Sequence, residues 1–138
     1  MHLLIKIKGV YMKKLLLCCV LLLCGCEASM LPSSQNYVSI SMDEAMDQYQ
    51  NDPYAVLLDV RTFEEYEEGH IPGAINISNE NIQAGTYELR GSKDQKVYVY
   101  CRSGNRSKQA AEVLSQDGFT NIIECGGIID YKGELERY

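Results

Sequence analysis

With 138 residues the chain suits one domain. Its formal charge of −6 at neutral pH, from 19 acidic and 13 basic residues, opposes association with nucleic acid or with a bare anionic lipid surface. Six cysteines are joined by only two histidines, and no Cys-x-x-Cys pair occurs, so a zinc site lacks ligands.

The first recognisable segment is MKKLLLCCVLLLCGC, Met12–Cys26. Lys13 and Lys14 precede an apolar run from Leu15 to Leu23, the layout of a bacterial export signal. The run is well short of the ~20 apolar residues that span a bilayer. It ends in Leu-Cys-Gly-Cys, which resembles a lipobox with Gly25 as the small residue and Cys26 as the acylated cysteine. Residues 1–25 are therefore expected to be a signal peptide, with Met12 an alternative start and an uncleaved N-terminal anchor the rival reading. Cys26 is the expected lipidation site, which implies a bacterial domain anchored to the cell membrane on its extracytoplasmic face. Lys6, Lys8, Lys13 and Lys14 would leave with the signal and no acid would, so the remainder is more acidic still. Cys18, Cys19 and Cys24 would leave as well. Cys101 and Cys125 then remain, too few for a disulfide framework.

Residues 26–36 are polar, with Pro32 and paired serines, and read as a tether. Residues 37–138 form the expected domain. Tyr37–Ser41 alternates like a short strand. Ser41, with Glu44 three residues on, predicts a capping box and a helix to Gln50. After the Asp-Pro-Tyr turn, Ala55–Val60 has a buried-strand pattern. Thr62–Gly69 reads as a short acidic helix, Ala74–Ser78 as a strand, and 79–91 as a short helix and loop. Lys96–Tyr100 is a strand, Arg106–Gln116 a helix stopped by Asp117-Gly118, and Asn121–Cys125 the last strand. Gly126-Gly127 reads as a turn, and Ile128–Gly133 as a terminal helix turn. Strands alternating with helices predict an α/β fold, a mostly parallel sheet of about five strands with helices on both faces. The domain is expected to be monomeric.

The stretch VYVYCRSGNRSKQ, Val97–Gln109, concentrates the chemistry. In open α/β sheets ligands sit beyond the carboxyl ends of the strands, and Cys101 follows its strand directly. Arg102, Ser103, Gly104, Asn105 and Arg106 then lead into a helix. Backbone N–H groups in such a turn, together with the helix N-terminus, stabilise an anion, and Gly104 permits the tight backbone this needs. A thiol held there ionises readily. Phosphate-ester hydrolysis and sulfur transfer both use such a cradle. Cysteine phosphatases need one more residue between the cysteine and a clamping arginine than this chain has. Ser107 stands in that position, and Tyr100 stands where a histidine commonly precedes the cysteine. The smaller cradle suits the outer sulfur of a persulfide.

At these residues the chain resembles a single-domain rhodanese. LLDVRTFEEYEEGHIPGAINI, Leu57–Ile77, matches that family's pattern at Asp59, Arg61, Glu65, Tyr66, Gly69, His70, Ile71, Gly73 and Ala74. The family's six-residue active loop maps onto Cys101 to Arg106, and GFTNIIECGGIIDY onto its closing strand, Gly-Gly turn and last helix. Tyr131 departs from a common tryptophan, and Cys125 from an expected apolar residue. The resemblance implies a rhodanese-like fold and thiosulfate-type sulfurtransferase activity. Cys101 would take the outer sulfur of a small anionic donor as a persulfide, among the N–H groups of residues 102 to 106. A thiol or cyanide would then accept it. Arg102 and Arg106 would bind the donor, and neither metal nor organic cofactor is required.

Asp59, Arg61 and Glu65 are expected to form an ion-pair and capping network rather than an acid–base group. His70 is expected to hold its turn by hydrogen bonds rather than to act as a base. Cys125 is either a redox partner of Cys101, if their strands are neighbours, or a small buried residue. The rival functional readings are a sulfur-carrier or partner-docking module without significant turnover and, disfavoured by loop length, a phosphatase or arsenate reductase.

Overall fold

Strand and helix alternate from Val38 to the C-terminus in the computed structural model, which describes residues 35–138. The expected signal peptide, Cys26 and most of the tether lie outside the described residues. In chain order the elements are β1 (Val38–Ser39), α1 (Met42–Gln50), β2 (Val56–Asp59), α2 (Phe63–Glu68), β3 (Ile75–Asn76), α3 (Asn79–Gln83), β4 (Val97–Cys101), α4 (Asn105–Gln116) and β5 (Ile122–Gly127). A 3-10 turn, Ile128–Asp130, follows. The sheet runs β1-β5-β4-β2-β3, and all four of its strand pairings are parallel. This is the parallel α/β architecture that the sequence predicts.

Alternation along the central strands divides the core into two layers, because successive side chains point to opposite faces. Leu57, Tyr98, Tyr100, Ile123 and Cys125 pack with Met42, Ala45 and Met46 of α1 and Tyr66 of α2. Leu58, Val97, Val99, Cys101 and Ile122 pack with Ile82 of α3 and Ala110, Ala111 and Leu114 of α4. Tyr49 and Tyr131 add to the first layer, which holds most of the buried aromatic rings.

Capping chemistry sets the helix starts. Ser41 Oγ accepts the Glu44 N–H at 3.3 Å, but the Glu44 carboxylate accepts from Gln48 instead of reaching back, so only half of the expected capping box forms. The complete box lies at α2, where Thr62 Oγ1 accepts the Glu65 N–H and Glu65 accepts the Thr62 N–H. It satisfies two otherwise orphaned donors.

Most boundaries shift by a residue or two from those expected, and two of the shifts shape the site. The last strand does not stop at Cys125: Val99 pairs with Glu124 and Cys101 with Gly127, so β5 carries one extra residue there. Gly126, at φ +76, absorbs this bulge. The long helix starts one residue early, at Asn105.

At the end of β2, Asp59 and Arg61 form a buried pair at 2.6 Å, and the Arg61 guanidinium also donates to the Gly69 carbonyl at 2.8 Å. One cation thus ties the end of β2 to the end of α2. Asp59→Asn leaves Arg61 buried beside a neutral partner, and urea unfolding should show a loss of about 3–5 kcal/mol.

Candidate active site

Cys101 is the last residue of β4 and is 1% exposed. A buried thiolate needs donors in place of water, and the next few residues supply them. The Gly104 N–H points at Cys101 Sγ from 3.0 Å, and Ser107 Oγ lies 3.5 Å from the sulfur. Burial opposes ionisation, but the Ser107 hydroxyl and the N–H groups of Ser107, Gly104 and Ser103 outweigh it, and the thiol pKa falls below its ordinary value.

Gly104 is the N-cap of α4, at φ 103 and ψ −13. Only glycine adopts this conformation without strain, and it turns the 104 N–H inward. Gly127, from β5, makes the second close approach. A Cβ there would lie 2.1 Å from the Arg102 carbonyl oxygen and 2.6 Å from Ser103 Cα. The Gly-Gly pair is therefore a shelf against which the cysteine loop is pressed. The Ile129 N–H reaches the Arg102 carbonyl from just beyond it, at 3.4 Å.

The two loop arginines have different surroundings. Arg106 makes a two-pronged pair with Glu65, at 2.6 and 2.9 Å. The sequence reading gave Arg106 to the anionic donor; its guanidinium instead clamps the start of α4 to α2. That bond, more than any other contribution, holds the Glu65 pKa down at about 2. Arg102, Ser103 and Asn105 are exposed at the mouth of the loop, and Arg102 has no ion pair among the described residues.

His70 is buried away from the cysteine loop. Its ring stacks on Tyr66 at 3.8 Å and Nδ1 lies 2.8 Å from the Tyr66 carbonyl. Nε2 lies 3.5 Å from a Glu136 carboxylate oxygen, where no aligned hydrogen bond forms. The His70 backbone exchanges both of its hydrogen bonds with Glu136 at 2.9 Å, fastening the C-terminal segment.

Cys125 does not meet Cys101. Both are free thiols. Their strands are neighbours, as the redox reading required, but their side chains enter opposite layers of the core. Burial, followed by the nearby Glu124 charge, pushes the Cys125 pKa up to about 12. Of the two readings of Cys125, this placement fits the small buried residue and not the partner of Cys101. The sequence alone gives no role to Ser107 or Glu124 and marks Gly127 only as part of a turn. An acid inside an otherwise apolar strand, Ile122-Ile123-Glu124-Cys125, was the signal that could have exposed Glu124.

A parallel α/β sheet ending in a donor-cradled thiol at the head of a helix defines the class of cysteine-loop domains. The family model for the rhodanese-like domain matches residues 41–133, and the chain belongs to that family. Among curated relatives, it is 34% identical over 108 residues to YrkF of Bacillus subtilis (strain 168), named as a candidate sulfur carrier, covering 75% of this chain and 57% of that one. It is 38% identical over 73 residues to the thiosulfate sulfurtransferase PspE of Escherichia coli (strain K12), covering 53% and 70%. A tRNA uridine(34) hydroxylase of Sodalis glossinidius is 36% identical over 86 residues, 59% of this chain but 24% of that one. The chain thus spans little more than half of the first relative and about a quarter of the third. Among solved structures, a rhodanese with anions from E. coli superposes with TM-score 0.55 at 33% identity, covering 61% of this chain and 99% of that one. A rhodanese-like domain protein from Staphylococcus aureus gives TM-score 0.63 at 29% identity, covering 73% and 98%. The family is one of sulfur transfer in general.

The Glu65–Arg106 clamp makes stability depend on acid in a defined direction. A carboxyl held at about 2, below its ordinary 4.5, stabilises the fold above pH 4.5 and loses that contribution as pH falls toward 2. Glu65→Gln should lower the urea midpoint at pH 7 and flatten its decline between pH 5 and 3.

Proposed function

We propose that this protein is a rhodanese-type sulfurtransferase that moves a sulfane sulfur from thiosulfate or a similar anionic donor to a thiol or cyanide. The observation that carries this reading is the buried Cys101 sulfur facing the Gly104 N–H at 3.0 Å, a position that favours thiolate. The thiolate attacks the outer sulfur of thiosulfate. A new S–S bond forms, the old one breaks, and sulfite leaves with its electron pair. The terminal sulfur of the persulfide carries the negative charge and rests among the loop N–H groups. An acceptor thiolate or cyanide then attacks that sulfur, and Cys101 leaves as thiolate. Arg102, exposed at the mouth, draws in the anionic donor, while Arg106 holds the loop through Glu65.

The similarity to PspE supports turnover; the similarity to YrkF supports the alternative of a carrier that holds sulfur for a partner. From the signal-like segment and Leu-Cys-Gly-Cys, we further place the domain on the extracytoplasmic face of a bacterial membrane, anchored through lipid on Cys26. Labelling with a fatty-acid analogue, lost in Cys26→Ser, tests that placement.

Incubation with thiosulfate should add the mass of one sulfur to the protein. Cyanide should remove it as thiocyanate, and Cys101→Ser should show neither. Persulfide that forms but yields no thiocyanate would favour the carrier, and no mass gain on reduced, folded protein would exclude thiosulfate as donor.

A further inference from the structure

Glu124 is a carboxyl group in the middle of β5, 2% exposed, and nothing in the sulfur-transfer reading uses it. A buried charge is costly unless it is paired and hydrogen-bonded, yet Glu124 has no cationic partner among the described residues. Its Oε1 accepts the Gly126 N–H at 2.8 Å and lies 2.6 Å from Ser107 Oγ. Ser107, fully buried, stands between Glu124 and Cys101 Sγ. Its oxygen also lies 3.0 Å from the Gly104 carbonyl and 3.4 Å from the Gly126 carbonyl.

Ser107 has one hydroxyl proton. Beside an ionised Glu124 that proton goes to the carboxylate, since the charge-assisted bond at 2.6 Å is the strongest on offer. The Ser107 lone pairs then face the sulfur, and Cys101 must be a thiol donating to Ser107. A thiolate needs the reverse, with the Ser107 O–H turned toward Cys101. The two carbonyls cannot donate to the vacated side of Ser107; a protonated Glu124 can.

We propose that Glu124 receives the thiol proton of Cys101 by relay through Ser107. The S–H bond breaks as Ser107 Oγ takes that proton, and the Ser107 O–H bond breaks as Glu124 Oε1 takes the other. The products are the Cys101 thiolate and a neutral Glu124 carboxylic acid. No charge is added to the interior; the negative charge moves from a carboxylate with few donors to a sulfur faced by the loop N–H groups. Other ionisable groups act on the pair. Tyr37, ahead of β1, senses both Glu124 and Glu112 of α4; Cys125 senses Glu124 through the sheet; Arg106 senses Cys101 while held by Glu65. Glu124 acts through Ser107 and does not touch the substrate. The inference rests on Cys101 being the nucleophile of the proposed reaction.

The test is the rate of Cys101 alkylation by iodoacetamide against pH, read by mass on the intact protein, with buried Cys125 as internal control. This readout needs no sulfur donor, so loss of sulfur transfer alone would count against the proposed function and not against the relay. A proton shared by two coupled groups gives a thiolate fraction independent of pH between two macroscopic steps. The unmodified protein should therefore show a plateau on the acid side of its profile. Glu124→Gln keeps the shape and an acceptor for Gly126 but cannot take a proton. It should lose the plateau and fall about tenfold per pH unit below its step, and Ser107→Ala should do the same. A purely structural Glu124 would leave the profile shape unchanged. A single tenfold-per-unit fall in the unmodified protein, which needs no variant to fold, or a plateau that survives in Glu124→Gln, would overturn the relay.

Discussion

A thiol whose ionisation is favoured although it is shut away from water sets the main constraint on this molecule. Solvation has to come from backbone N–H groups, and these converge only if the chain leaves β4, reverses within three residues and enters α4 at once. Gly104 in the left-handed region makes the reversal. Gly127, with no side chain, lets the end of β5 lie against it, and the bulge in β5 brings Gly127 opposite Cys101. A Cβ at Gly127 would collide with loop backbone, which has little room to yield. The anion cradle is thus built by two strands and a helix together, although every donor in it comes from one short segment.

Charged groups around this cradle divide into two fasteners and one exposed cation: Asp59–Arg61 closes the β2–α2 corner, and Glu65–Arg106 joins that corner to α4. Glu65 serves twice, since the oxygen that bonds Arg106 also accepts the Thr62 N–H that opens α2. Arg102 is left as the loop's exposed cation. An arginine engaged by two short bonds would have to break them before reaching a ligand, whereas an exposed one reorients freely.

The parallel sheet, its five strands and the position of Cys101 were legible because strand and helix periods alternate cleanly and the glycines and caps mark the joints. The difference between Arg102 and Arg106 was not legible. Both flank the same glycine, and only the tertiary position of Glu65, forty-one residues away, separates them. The face that Cys125 takes was not legible either, although its strand neighbours that of Cys101, because alternation within a strand does not reveal its register with a neighbour. The bulge that sets this register looked like a turn, since glycine pairs mark turns and close approaches alike. Glu124 does not stand out in the sequence, because a strand assignment rests on the apolar majority and one acid inside the run is absorbed into the pattern.

The separation of the core into two layers has an optical consequence. The chain contains no tryptophan, so its near-ultraviolet signal comes from tyrosine. Tyr66, Tyr98 and Tyr100, the buried tyrosines, all lie in the layer across the sheet from Cys101, with Tyr49 and Tyr131 against them. The layer that holds the thiol is lined mainly by aliphatic side chains, with the weakly absorbing Phe119 ring inside it and Tyr37 and Tyr87 at its margin. Intrinsic fluorescence and aromatic dichroism therefore report chiefly on the far side of the molecule. Sulfur loading at the loop would leave those signals almost unchanged while mass or thiol chemistry registered it fully.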